Sequence, residues 1–154
     1  MNPLLRYVLA IVAGVAVGSI VNLGLITLGG SIIPPPPGAE TGTMEGLRES
    51  IHLFEPRHFV FPFLAHALGT LSGATVTAAI APTHRLALAM CIGALFLTGG
   101  ILAVVSLPSP MWFNVVDLTF AYLPMAWLGW KLGSRRGVPA APSVTAGPHA
   151  GVSP

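Results

Sequence analysis

Four long apolar runs, at about residues 4–28, 59–81, 86–107 and 112–132, account for most of the chain, and none alternates apolar and polar positions as a half-buried strand does. Each is at least about 20 residues long, enough for a helix rising about 1.5 Å per residue to cross a hydrocarbon layer of about 30 Å. The pattern predicts an all-α membrane protein: a four-helix transmembrane bundle over residues 1–133, with an outer loop at 29–58 and a tail at 134–154. The first run follows Arg6 and continues well past the length of a signal-peptide core, so it reads as a retained span.

The connections carry their own patterns. Pro34 to Pro37 cannot join a helix and predict a short polyproline II rod. After it, Met44, Leu47, Ile51 and Phe54 recur at helical spacing until Pro56, which predicts a short amphipathic helix in the outer loop, lying on or capping the bundle. The links at residues 82–85 and 108–111 are tight enough to force antiparallel neighbours. Ser109 before Pro110 has the form of an N-cap with proline at the first helical position, and Pro124 predicts a kink near Phe120. The tail is rich in Gly, Pro, Ala and Ser, which predicts disorder.

Two runs carry small residues at four-residue spacing. Ala10, Gly14, Gly18 and Asn22 share one face of the first helix, and Ala65, Gly69 and Gly73 share one face of the second. Close packing between helices is expected at Gly14, Gly18, Gly69 and Gly73.

Charge then sets the orientation. Only 7 Lys and Arg and 5 Asp and Glu occur in 154 residues, which excludes an ordinary soluble domain. Arg6, Arg85, Lys131, Arg135 and Arg136 fall on one side of the predicted topology, whereas the loop on the other side holds Arg48 and Arg57 beside four glutamates. By the positive-inside rule both termini face the cytoplasm. Trp112 and Phe113 are then expected at the outer interface, and Trp127 and Trp130 at the inner one. A basic excess this small points to topology and not to nucleic acid. Cys91 stands alone, with no partner for a disulfide or a zinc cluster, and is expected to serve as a small packing residue.

Candidate chemistry rests on the few polar groups inside the runs. With this topology Asn22, His66, Thr98, Asn114 and Asp117 fall at similar depth toward the outer side. A carboxylate near the middle of a span costs roughly 2.5–3.5 kcal/mol on insertion scales, so Asp117 is expected to face inward and to have His66 as its partner. Such a pair is either a polar clasp that fixes helix register or a unit that binds and releases a proton. His52, Glu55 and His58 are spaced three apart and form a weaker metal candidate, interrupted by Pro56. His66 is the one histidine deep in a run, which argues against haem held by two histidines. No nucleophile elbow, P-loop, dinucleotide fingerprint or C-x-x-C occurs. No catalytic residue and no cofactor are expected.

Three stretches, G-S-I-V-N-L-G-L-I-T-L-G-G-S-I-I-P-P-P-P from Gly18, H-L-F-E-P-R-H-F-V-F-P-F-L-A-H-A-L-G-T from His52 and W-F-N-V-V-D-L-T-F-A-Y-L-P-M-A-W from Trp112, resemble a family of small four-span bacterial membrane proteins. The resemblance covers the chain to about Leu132 and implies a bacterial inner-membrane location. It carries no activity and transfers no site residue. The sequence reading is therefore a non-enzymatic accessory or oligomer-forming membrane component, with the lipid bilayer and further copies or a larger membrane complex as partners. A proton- or ion-coupled transporter or channel using Asp117 and His66 is the first alternative, and a membrane-embedded enzyme or cofactor subunit the second.

Overall fold

The computed structural model describes residues 2–135, and these contain helices and no strand. Helix α1 spans Pro3–Ile32, α2 Met44–Ser50, α3 Val60–Ile80, α4 Arg85–Ser106, α5 Met111–Phe120 and α6 Leu123–Ser134. Short 3-10 turns at Ile51–Leu53 and Pro56–Phe59 join α2 to α3. Three segments, Pro3–Ile32, Pro56–Ile80 and Arg85–Ser106, are long and apolar enough to cross a membrane. The fourth predicted span is instead two helices, α5 and α6, each too short to cross alone. Its expected kink is a full break, because Tyr122 leaves helical geometry (φ −117°, ψ −81°) and Pro124 lies in the first turn of α6, where its missing N–H costs nothing.

Other boundaries shift for local reasons. Helix α1 runs past Leu28 to Ile32, stopping just before the four prolines, and starts on Asn2, whose side chain accepts from the Leu4 N–H at 2.9 Å. The chain turns at Gly38, whose φ of +85° suits glycine. The outer-loop helix is seven residues long. Thr43, not a proline, caps it by accepting from the Gly46 N–H. Ser109 does not cap α5: its hydroxyl donates to Asn114 Oδ1 at 2.6 Å, and Pro110 precedes the helix instead.

The interior is made of small side chains and the exterior of large apolar ones. Ala74, Ala78, Ala89, Ile92 and Ala126 form one buried cluster, while Val12, Ile20, Leu23, Leu102 and Val105 are at least 58% exposed. Water would drive the opposite arrangement; a chain surrounded by lipid gains from close backbone approach instead. Cys91 is exposed and belongs to this outer surface, not to the packing.

Helix α3 is the axis, contacting α1, α4 and α6, whereas α1 and α4 scarcely touch. On the α1 side a Cβ added to Gly73 would stand 2.7 Å from the Gly14 carbonyl oxygen, and one added to Gly69 would stand 2.9 Å from that of Gly18. Thr77 donates across the same seam to the Ala10 carbonyl at 3.1 Å. On the α6 side Gly129 comes equally close to the Leu71 carbonyl, a second glycine contact absent from the sequence reading. At one end Arg6 donates to the Ile80 carbonyl and Arg85 to that of Ser134, so the basic residues of α1, α4 and the end of α6 are gathered there. At the other end Ile51, Phe59 and Phe113 form a buried cap under the first loop, with the Phe59 and Phe113 rings 4.8 Å apart. Phe113 is thus part of the core and not an interface residue; Trp112 beside it is 47% exposed. The loop helix turns Met44 outward, 63% exposed, so its apolar face is narrower than its spacing suggested.

Residues 136–154 lie outside the described residues, and with them all of the expected tail except Ser134 and Arg135. Ser134 is still helical.

Candidate functional site

Asp117 is on the second turn of α5, roughly 9 Å in from its start, and His66 is at matching depth on α3. Helices α3 and α5 run in the same direction, so equal distance from their starts sets the two residues side by side. His66 Nδ1 lies 2.9 Å from Asp117 Oδ1 and 3.0 Å from Oδ2, and the carboxylate is 2% exposed. A third residue completes the unit: the Tyr122 hydroxyl donates to Asp117 Oδ2 at 2.9 Å, and its ring stacks on His66 with centroids 5.7 Å apart.

Tyr122 was invisible to the sequence reading because of the helix break. On an unbroken helix five residues rotate a side chain about 140° from Asp117. The turn at Ala121 and Tyr122 brings the hydroxyl back to the carboxylate. Pro124 was the available signal, read as a kink but not as a device that redirects a polar side chain.

The five predicted polar residues separate into groups. His66 and Asp117 are bonded. Asn114 bonds to Ser109 yet lines the same cavity as the pair, and Asn22 lines a cleft on the other side of His66. Thr98 does not join: it is exposed, and its hydroxyl donates to the Ala94 carbonyl one turn back. The metal candidate does not assemble either. His52 points outward, Glu55 pairs with Arg57 at 3.1 Å and His58 Nδ1 accepts from the Glu55 N–H, and no group of three ligating side chains occurs among the described residues.

A carboxylate that carries no proton can only accept, so Nδ1 and the Tyr122 hydroxyl both donate to it. His66 is then the Nδ1–H tautomer or the imidazolium, and in the neutral form Nε2 holds a free lone pair. This nitrogen is not engaged by Asp117, and His66 is among the residues that line two cavities. One, about 210 Å³, lies under the cap of the first loop between Phe59, Pro62, Leu107, Asn114 and Asp117. The other, about 270 Å³, is a cleft between α1 and α4 lined by Ser19, Asn22, Thr70, Phe96 and Tyr122. Ser19 and Thr70 are about one turn nearer the basic end than Asn22 and His66, so the cavities approach the ring from opposite depths.

One unit predicts one energy. Asp117→Asn and His66→Gln should each lower the unfolding temperature in detergent, and together should cost less than the sum by about 1 kcal/mol, because the second change removes a contact already weakened. Strict additivity in that double-mutant cycle would mean that the two side chains do not interact.

Comparison with protein-family models, with curated proteins and with solved structures found no match for this chain.

Proposed function

We propose that the chain is a multi-pass protein of a bacterial inner membrane, with both termini in the cytoplasm, and that it works as a homo-oligomeric proton channel whose exchange site is His66 held by Asp117 and Tyr122. The observation behind this reading is the position of His66: one imidazole faces both cavities while its other nitrogen is held by a buried carboxylate. Nε2 takes a proton from a donor in one cavity, the imidazolium is balanced by Asp117, and the proton leaves from Nε2 to the other cavity. An imidazole suits this exchange because it has two ring nitrogens, one for the carboxylate to hold and one left to exchange a proton. A clasp that served helix register alone would gain nothing from a wall shared by two cavities.

The test is proton movement in vesicles. Purified protein in liposomes, driven by a potassium diffusion potential, should collapse an imposed pH gradient faster than protein-free vesicles do. Equal rates would return the pair to a structural clasp in an accessory, oligomer-forming component.

Orientation is supported by the basic residues gathered at one end of the bundle. With Cys91 replaced by Ser, a cysteine at Glu49 should react with an impermeant maleimide added to intact spheroplasts, and one at Arg135 only after lysis. Labelling at Arg135 and protection at Glu49 would invert the topology.

A further inference from the structure

The cleft between α1 and α4 has features that proton exchange alone does not require. Its rim is formed by Ser19, Leu95 and Gly99, all exposed and all far from the ends of their helices. In a bilayer such an opening faces the hydrocarbon, not water. Yet it presents polar groups: the Asn22 amide, the Ser19 hydroxyl and the His66 ring. Polar groups facing lipid are costly unless something uncharged and hydrogen-bonding meets them. Phe96 and Tyr122 add aromatic walls, and Gly99 and Gly100 leave one side flat. At about 270 Å³ the space suits one ring and not a whole lipid, so an attached chain would trail through the opening into the bilayer.

We infer that this cleft binds the hydroxylated aromatic head of a lipid-soluble phenol, quinols included, with the ring hydroxyl donating to His66 Nε2. The inference rests on the reading of His66 as the exchange residue, since the ligand would sit on the acceptor nitrogen at which exchange takes place. Chemistry selects the class. Neutral His66 offers an acceptor to the cleft, so an acidic O–H is preferred over a carbonyl, and Asn22 can meet a second oxygen with either its donor or its acceptor. The aromatic walls favour a ring over an aliphatic alcohol.

The experiment uses the full chain in nanodiscs with para-decylphenol as probe and its methyl ether as the control that lacks the proton. The phenol should bind saturably, and the ether about tenfold more weakly, as loss of one hydrogen bond to a buried acceptor implies. Gly99→Leu fills the cleft without disturbing helix packing, because nothing lies within 4 Å of the added Cβ, and it should weaken phenol binding at least about tenfold. Gly24→Leu, equally open but away from the cleft, should bind the phenol as the unmodified protein does. Equal binding of phenol and ether, or full phenol binding by Gly99→Leu, would overturn the inference. A Gly99→Leu variant that keeps phenol binding but dissociates an oligomer would assign the cleft to a second copy of the chain. Because binding is read without any gradient, a phenol that binds to a protein inactive in proton flux would refute the exchange reading alone.

Discussion

Gly73→Leu is expected to abolish the native bundle or to destabilise it by about 3 kcal/mol or more, the upper range for overpacking. Its Cβ would stand 2.7 Å from the Gly14 carbonyl oxygen, and helix backbone cannot rotate aside as a side chain can. The only relief is to separate α1 from α3, which loses the Thr77 to Ala10 hydrogen bond and the dispersion contacts of the whole seam. Gly24→Leu on α1 has open space and exchanges a poor helix former for a good one, so it should leave the unfolding temperature unchanged or raise it. Comparable thermal unfolding of the two variants in detergent would show that α1 does not pack on α3 as described.

This contrast follows from what holds the chain together. Most of its bulk is Leu, Val and Ile turned outward, and its specificity lies in a handful of glycines, alanines and threonines turned inward. The three long helices, their approximate bounds and the glycine face of α1 could be read from the sequence because length and four-residue spacing are local properties. The glycine contact of α6 on α3 could not, since Gly129 and Gly133 gain meaning only from the rotation that the break at Tyr122 imposes on α6. The same break hid Tyr122 itself. Thr98 shows the converse error. Equal depth placed it with His66 and Asp117, but depth says nothing about which way a residue faces, and on α4 it faces outward. His52, Glu55 and His58 failed for a related reason: spacing by three implies one face only on a continuous helix, and the chain there is a pair of 3-10 turns around Pro56.

The cap over the smaller cavity also explains why the long first loop is ordered. Ser50, buried at the end of α2, bonds to both the N–H and the carbonyl of Glu40, closing the loop on itself, while Ile51 anchors it on Phe59 and Phe113. Leu47, Ile51 and Phe54 of this loop thus form part of the wall of the cavity beside Asp117 and Asn114.

Asp117→Asn carries the second large effect. The amide keeps the shape of the carboxylate and can still meet His66 and Tyr122, but it has no charge to balance an imidazolium. An imidazolium at His66 would then face a neutral amide dipole in place of a carboxylate. Exchange at Nε2 should fall to background while the protein stays folded, elutes at the same volume and retains its helical circular dichroism. The decisive comparison is therefore the rate of pH-gradient collapse in vesicles holding equal amounts of unmodified protein and of the Asp117→Asn variant. Collapse should be rapid with the first and indistinguishable from protein-free vesicles with the second. Equally rapid collapse with both would contradict exchange at His66.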